Sequence, residues 1–74
     1  MIQTGTYRHF KGKLYKVIMT ARHSETLEDY VVYQALYGER GMWVRPLAMF
    51  EETVEFAGNT VKRFTYVEKS ETEE

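Results

Sequence analysis

A chain of 74 residues with a formal net charge of −1 and no cysteine has room for one domain at most, and it carries no thiol for a disulfide or a thiolate metal site. Six tyrosines, four phenylalanines and one tryptophan offer wide apolar faces to a small interior, provided that the tyrosine hydroxyls reach water or a partner. No apolar run approaches bilayer-spanning length and the opening MIQTGTYRHF lacks the pattern of a secretory leader, which argues against a membrane partner and predicts a soluble, cytoplasmic protein.

The near-zero charge averages over two opposite fields. Arg8, Lys11, Lys13, Lys16 and Arg22 all precede the first acidic residue, Glu25, whereas the end of the chain, EKSETEE, is almost wholly acidic. A solvated face is the ordinary meaning of such a run, and a nucleic-acid stripe the less common one.

In chain order, the first segment GTYRHFKGKLYKVIMTAR alternates bulky residues on a period of two, with a tight turn at Gly12. Its second half puts Tyr15, Val17, Met19 and Ala21 on one face and Leu14, Lys16, Ile18, Thr20 and Arg22 on the other. DYVVYQALYGE is rich in β-branched and aromatic residues and pairs as a hairpin with the strand before it, turning Val31, Tyr33, Ala35 and Tyr37 one way. GMWVRPLAMF reads as a strand that stops at Pro46, which has no ladder donor, followed by one helical turn in LAMFEE. TVEFAGNTVKRFTYVE contains two further alternating runs about a Gly58-Asn59 turn.

Together these predict an all-β fold, a small SH3-like antiparallel barrel of five or six strands with one short helical turn, with a small α+β roll as the alternative. Residues 1–68 form the domain, and 69–74 an acidic tail with too little apolar surface to offset its ordering entropy.

The segments YRHFKGKLYKV, ARHSET, VVYQALYG, WVRPLAMF and KRF occur here in an order similar to that of a small bacterial family, domain of unknown function 1653. The resemblance spans nearly the whole chain before the tail. It implies a compact SH3-like β-barrel in a bacterial cytoplasm and brings no catalytic residue with it.

The polar run Arg22-His23-Ser24-Glu25-Thr26 raises the question of a site. Consecutive side chains of an extended strand point to opposite faces, so His23, Ser24 and Glu25 cannot by themselves form a nucleophile, base and orienter in line. His9 and His23 are too few for zinc, which takes three or four protein ligands, and no metal site is assigned. The five glycines form no phosphate-cradling loop and no acidic repeat has calcium-loop spacing, so no cofactor is assigned either. One reading makes the run a loop clamp, with the Ser24 and Thr26 hydroxyls and Glu25 bonded to nearby backbone and His23 a structural residue.

The other reading is a ligand-binding rim made of Arg22, His23, Ser24, Glu25, Tyr37, Trp43 and Arg45. Arg45 offers a planar cationic fork, and Tyr37 and Trp43 offer flat faces for stacking. This predicts a non-enzymatic module that binds an anionic small molecule, an extended peptide or single-stranded nucleic acid. The alternative is a small enzyme acting on a phosphorylated or nucleoside substrate with His23 as acid-base group. A single small barrel has little concave volume for catalysis, so that alternative calls for an oligomer whose interface completes the pocket. The oligomeric state itself is left open by the sequence.

Overall fold

The computed structural model describes residues 2–69; five of the six residues of the acidic tail, 70–74, lie outside them. In chain order the elements are β1 (Gly5–His9), β2 (Leu14–Arg22), β3 (Asp29–Ala35), β4 (Met42–Pro46), α1 (Leu47–Phe50), β5 (Thr53–Phe56), β6 (Asn59–Lys62) and β7 (Phe64–Glu68). Five of the strands form one antiparallel sheet in the order β4-β3-β2-β1-β7, and β5 and β6 form a separate hairpin. The all-β expectation holds. Seven strands replace the expected five or six because the last segment is divided at Arg63, whose amide bonds the Glu52 carbonyl and whose carbonyl accepts from Phe10.

The turns follow from local chemistry. Gly12 has φ of 104° and closes the β1–β2 turn by donating to the His9 carbonyl. The β5–β6 turn is centred one residue earlier than the sequence suggests: Ala57 and Gly58 both have positive φ, 54° and 81°, as a two-residue hairpin turn requires, and Asn59 already belongs to β6. Pro46 ends β4 and leads directly into α1, four residues long, whose last side chain, Phe50, turns into the core.

A further expectation, about strand faces, is corrected. The β2–β3 register shifts between Val17 and Met19, so the strand carries one extra residue there. Tyr15 and Val17 pair with Ala35 and Tyr33 on the buried face, but beyond the bulge it is Thr20 and Arg22 that pair with Val31 and Asp29. Met19 and Ala21 therefore stand on the outer face with Val32 and Tyr30, rather than with Tyr15 and Val17. A period-two count cannot see a bulge, because one inserted residue exchanges the faces of everything after it.

Tyr7, Val17, Val31, Tyr33, Phe50 and Phe64 form the core, with Ile2, Tyr15 and Leu47 packed against it. Phe50 and Phe64 stack in parallel, with centroids 4.0 Å apart and planes 2° apart. Phe64 comes from edge strand β7, yet its ring lies 5.8 Å from that of Tyr33 on β3 and 6.0 Å from the guanidinium carbon of Arg45 on the opposite edge strand, β4. Twist curls the sheet until its two edges face each other across these rings. Side chains, not a ladder between β4 and β7, close the barrel-like shape.

Phe50 is 1% exposed. Phe50→Ala should cost about 3–5 kcal/mol, enough to unfold most of a domain this small, whereas Phe56→Ala, at a ring 46% exposed, should cost about 1 kcal/mol or less. Urea midpoints of the two variants compared with the parent check this.

Candidate functional site

The β2–β3 connection is organised by an imidazole. His23 Nδ1 accepts from the amides of Glu25 at 3.1 Å and Thr26 at 3.3 Å, and the Thr26 hydroxyl accepts from the Glu28 amide at 3.2 Å. The His23 backbone closes the same loop, donating to the Glu28 carbonyl and accepting from the Leu27 amide. Leu27 adopts φ of 64°, which a leucine rarely does, and these bonds hold it there. Sequence reasoning gave the clamp to Ser24, Thr26 and Glu25; the structure gives it to His23 and Thr26.

This geometry places His23 with one ring nitrogen engaged and its ring 5.8 Å from that of Tyr30. Arg22 reaches Asp29 across the strand pair at 3.7 Å, an exposed contact of little energetic weight. His9 and His23 lie at opposite ends of β2, roughly 25 Å apart at the rise of an extended strand, so they share no site. Arg22 and His23 instead border a small groove of about 220 Å³ with Ala21, Tyr30, Val32 and Val44, which is almost wholly apolar.

Arg45, Tyr37 and Trp43 meet different company. Alternation along β1, β2, β3 and β4 brings His9, Tyr15, Tyr33, Trp43 and Arg45 to the concave face, and Phe64 joins them from β7. Tyr15 is the hub: its ring meets those of His9, Tyr33, Tyr37 and Phe64 edge-on or tilted at 5.5–6.3 Å. Its hydroxyl and that of Tyr37 lie 2.6 Å apart. Trp43 pairs with Tyr33 across the β3–β4 ladder and is 58% exposed. Its indole lies over Gly41, where an added Cβ would stand 3.3 Å from Nε1.

The charge on this shelf is positive. Arg45 Nε donates to the Tyr33 hydroxyl at 3.3 Å, and among the described residues no carboxylate pairs with the guanidinium. Lys13 Nζ sits 4.6 Å from the centre of the Tyr37 ring. Arg63 is tied to Glu52 at 2.6 Å. His9 registers the field: burial first, then the charges of Arg63, Arg45 and Lys11, hold its pKa below the ordinary 6.5. Burial, and then the hydrogen bond to Tyr37, push the Tyr15 phenol up to about 12, so it is a neutral hydrogen-bonding group rather than a base.

Of the seven residues singled out from the sequence, the structure thus gathers Tyr37, Trp43 and Arg45 on the shelf and puts Arg22, His23, Ser24 and Glu25 at the far hairpin end. His9, Lys13, Tyr15 and Phe64 belong to the shelf and were missed as such. The signal for His9 was present: it follows Tyr7 by two residues and so shares that residue's face.

A second opening, about 470 Å³, lies between β1, β6, β7 and α1, lined by Tyr7, Phe50, Phe64 and Tyr66 and by the charged Glu51 and Lys62. Among the described residues no cluster of three or more His, Asp or Glu side chains is arranged to hold a metal, and no helix is long and apolar enough to cross a membrane.

The fold and shelf define a small all-β domain built on a strongly curled antiparallel sheet. Residues 5–66 match the model of a family described as "Protein of unknown function (DUF1653)", and the chain belongs to that family. It is similar to a DUF1653 protein of known crystal structure from Bordetella bronchiseptica, with 40% identity and a TM-score of 0.84 over 92% of this chain and 90% of that one. Comparison with curated proteins gives no match.

The lowered pKa of His9 makes stability depend on pH. Between its folded pKa and 6.5 the unfolded chain holds more protons than the folded one, so stability rises with pH through that window and is lost again on acidification. Thermal melts from about pH 5 to about pH 7.5 should show this rise in the parent and a flatter profile in His9→Gln. An unchanged slope would mean that His9 is not desolvated on the shelf.

Proposed function

We propose that this protein is a non-enzymatic binding module of the bacterial cytoplasm that takes a phosphate-bearing ligand with a flat ring, a nucleotide or a short single-stranded nucleic acid, on the Arg45 shelf. The observation that carries the reading is the state of Arg45: half-buried, steered by the Tyr33 hydroxyl, packed over Phe64, and unpaired with any carboxylate among the described residues. A guanidinium held by one nitrogen keeps the rest of its donor fork for an anion.

The surroundings fit that ligand. Trp43 and Tyr37 expose ring faces on the same side of the sheet, and stacking on such faces tolerates any base because every base has a π-face. Lys11 and Lys13 extend the positive field along the β1–β2 turn, which favours the approach of phosphate. The absence of cysteine suits a reducing compartment. At His23 one nitrogen is already spent on the loop and no carboxylate orients the ring among the described residues, so the geometry offers little to an acid-base role there.

Titration with mononucleotides, short oligonucleotides, inorganic phosphate and proline-rich peptides, followed by amide chemical shifts and Trp43 fluorescence, tests the proposal. Nucleotide-bearing ligands should perturb His9, Tyr15, Tyr37, Trp43 and Arg45, with affinity falling as salt is raised. Arg45→Ala should weaken binding about tenfold or more with the fold retained, and Arg45→Lys should restore only part of it, since an ammonium cannot act as a planar fork. No shifts at these positions with any of the probes would sink the idea.

A further inference from the structure

We infer that two copies of this chain associate through the free edge of β4, antiparallel and centred on Trp43, to make one continuous sheet. β4 ends the five-stranded sheet, and its outer side has no neighbouring strand among the described residues. Such an edge presents open main-chain groups, and natural proteins commonly guard it with charge, proline or a bulge. Met42, Trp43 and Val44 are 55%, 58% and 63% exposed, a contiguous apolar run with no charged residue in it.

The ladder with β3 says which groups are open. The Ala35 amide donates to the Gly41 carbonyl at 2.9 Å, which makes that pair hydrogen-bonded; alternation then makes Tyr33·Trp43 and Val31·Arg45 hydrogen-bonded and leaves Gln34·Met42, Val32·Val44 and Tyr30·Pro46 not so. The amides and carbonyls of Met42 and Val44 therefore point out of the sheet. Pro46 falls on the same outward set and has no N–H to offer, the position at which an edge strand tolerates proline.

Hydrogen bonding also selects the register. If the twofold axis passed through Val44, Met42 would face Pro46, which cannot return its bond. With the axis at Trp43, the Met42 and Val44 of one copy face the Val44 and Met42 of the other and exchange all the outward amide and carbonyl bonds of these two residues, while Pro46 stays beyond the central pairs.

The side chains agree with this register. On the outer face Met42 and Val44 meet across the junction, extending the apolar surface of Met19, Tyr30 and Val32. On the concave face Trp43 meets its own counterpart in the closely spaced, non-hydrogen-bonded position where aromatic cross-strand pairs are most favourable. Arg45 then lies opposite Gly41, which has no side chain to obstruct it, and diagonally beside the second indole, where a cation is attracted to the ring. A surface that is complementary to itself in this way is what an isologous twofold contact requires.

So short an edge predicts a weak dimer, populated as concentration rises. The dimer uses Trp43 and Arg45, which the anion-binding proposal also uses, and the two are told apart because one is measured as mass without ligand and the other as ligand response in dilute, monomeric protein. Sedimentation and light scattering from micromolar to near-millimolar concentration should show monomer passing to dimer. Because Trp43 is the single tryptophan, a tryptophan–tryptophan exciton couplet in circular dichroism should grow with the dimer, and the Val44 amide should become protected from hydrogen exchange.

Val44→Pro removes an outward donor without breaking a bond to β3 and should weaken association about tenfold or more; Trp43→Lys, which sets two ammonium groups at the axis, should do the same if the proline variant fails to fold. A strict monomer throughout the range, or a dimer that survives the variant that folds, overturns the proposal.

Discussion

The parallel contact of Phe50 with Phe64 is the interaction on which the rest depends. A short chain cannot fill a barrel with many aliphatic side chains, so two large rings, one from the turn after β4 and one from β7, occupy the mouth of the curled sheet. Each also packs against Tyr33, and Phe50 against Tyr7, so one ring cluster joins α1 to the central and edge strands. Drawing the edges together in this way is also what brings Arg45 over Phe64.

The shelf is a by-product of that closure. Rings that complete the core from the concave side leave their outer rim, Tyr15, Tyr37 and Trp43, facing solvent, with hydroxyls that must be satisfied. Tyr15 and Tyr37 satisfy each other, and Tyr33 satisfies its oxygen with Arg45. Arg45 is thereby positioned by the structure's own need to hydrogen-bond the phenol of a buried tyrosine, and what remains of its fork is open. The same side chain thus serves the fold and is the centre of the proposed binding site, so position 45 bears on both.

Some of this was legible in the residues and some was not. Gly12, Pro46 and the alternation of DYVVYQA announce their turn, strand end and strand because each acts through its immediate neighbours. The bulge after Val17 was not legible: nothing in KVIMTA marks the inserted residue, and a bulge of this kind adds local twist and bend to a strand that curls over the core. The polar run at Arg22-Thr26 drew notice as a possible site because its residue types are chemically versatile. In the structure the versatility of His23 is spent on two amides of its own loop, a fact set by backbone geometry that residue type does not disclose.

The amino-acid sequence by itself determined the all-β class, the order of turns and strands, the family, and the presence of an arginine and a tryptophan two residues apart on one strand face. Those properties are local, written in periodicity, turn chemistry and shared segments. Only the tertiary structure decided that Arg45 stands with His9, Tyr15 and Phe64 rather than with His23, and that β4 is an edge whose open groups belong to Met42 and Val44. The physical reason is that strand order and curl are set by how rings from distant segments fill one small interior, and no single segment holds that information.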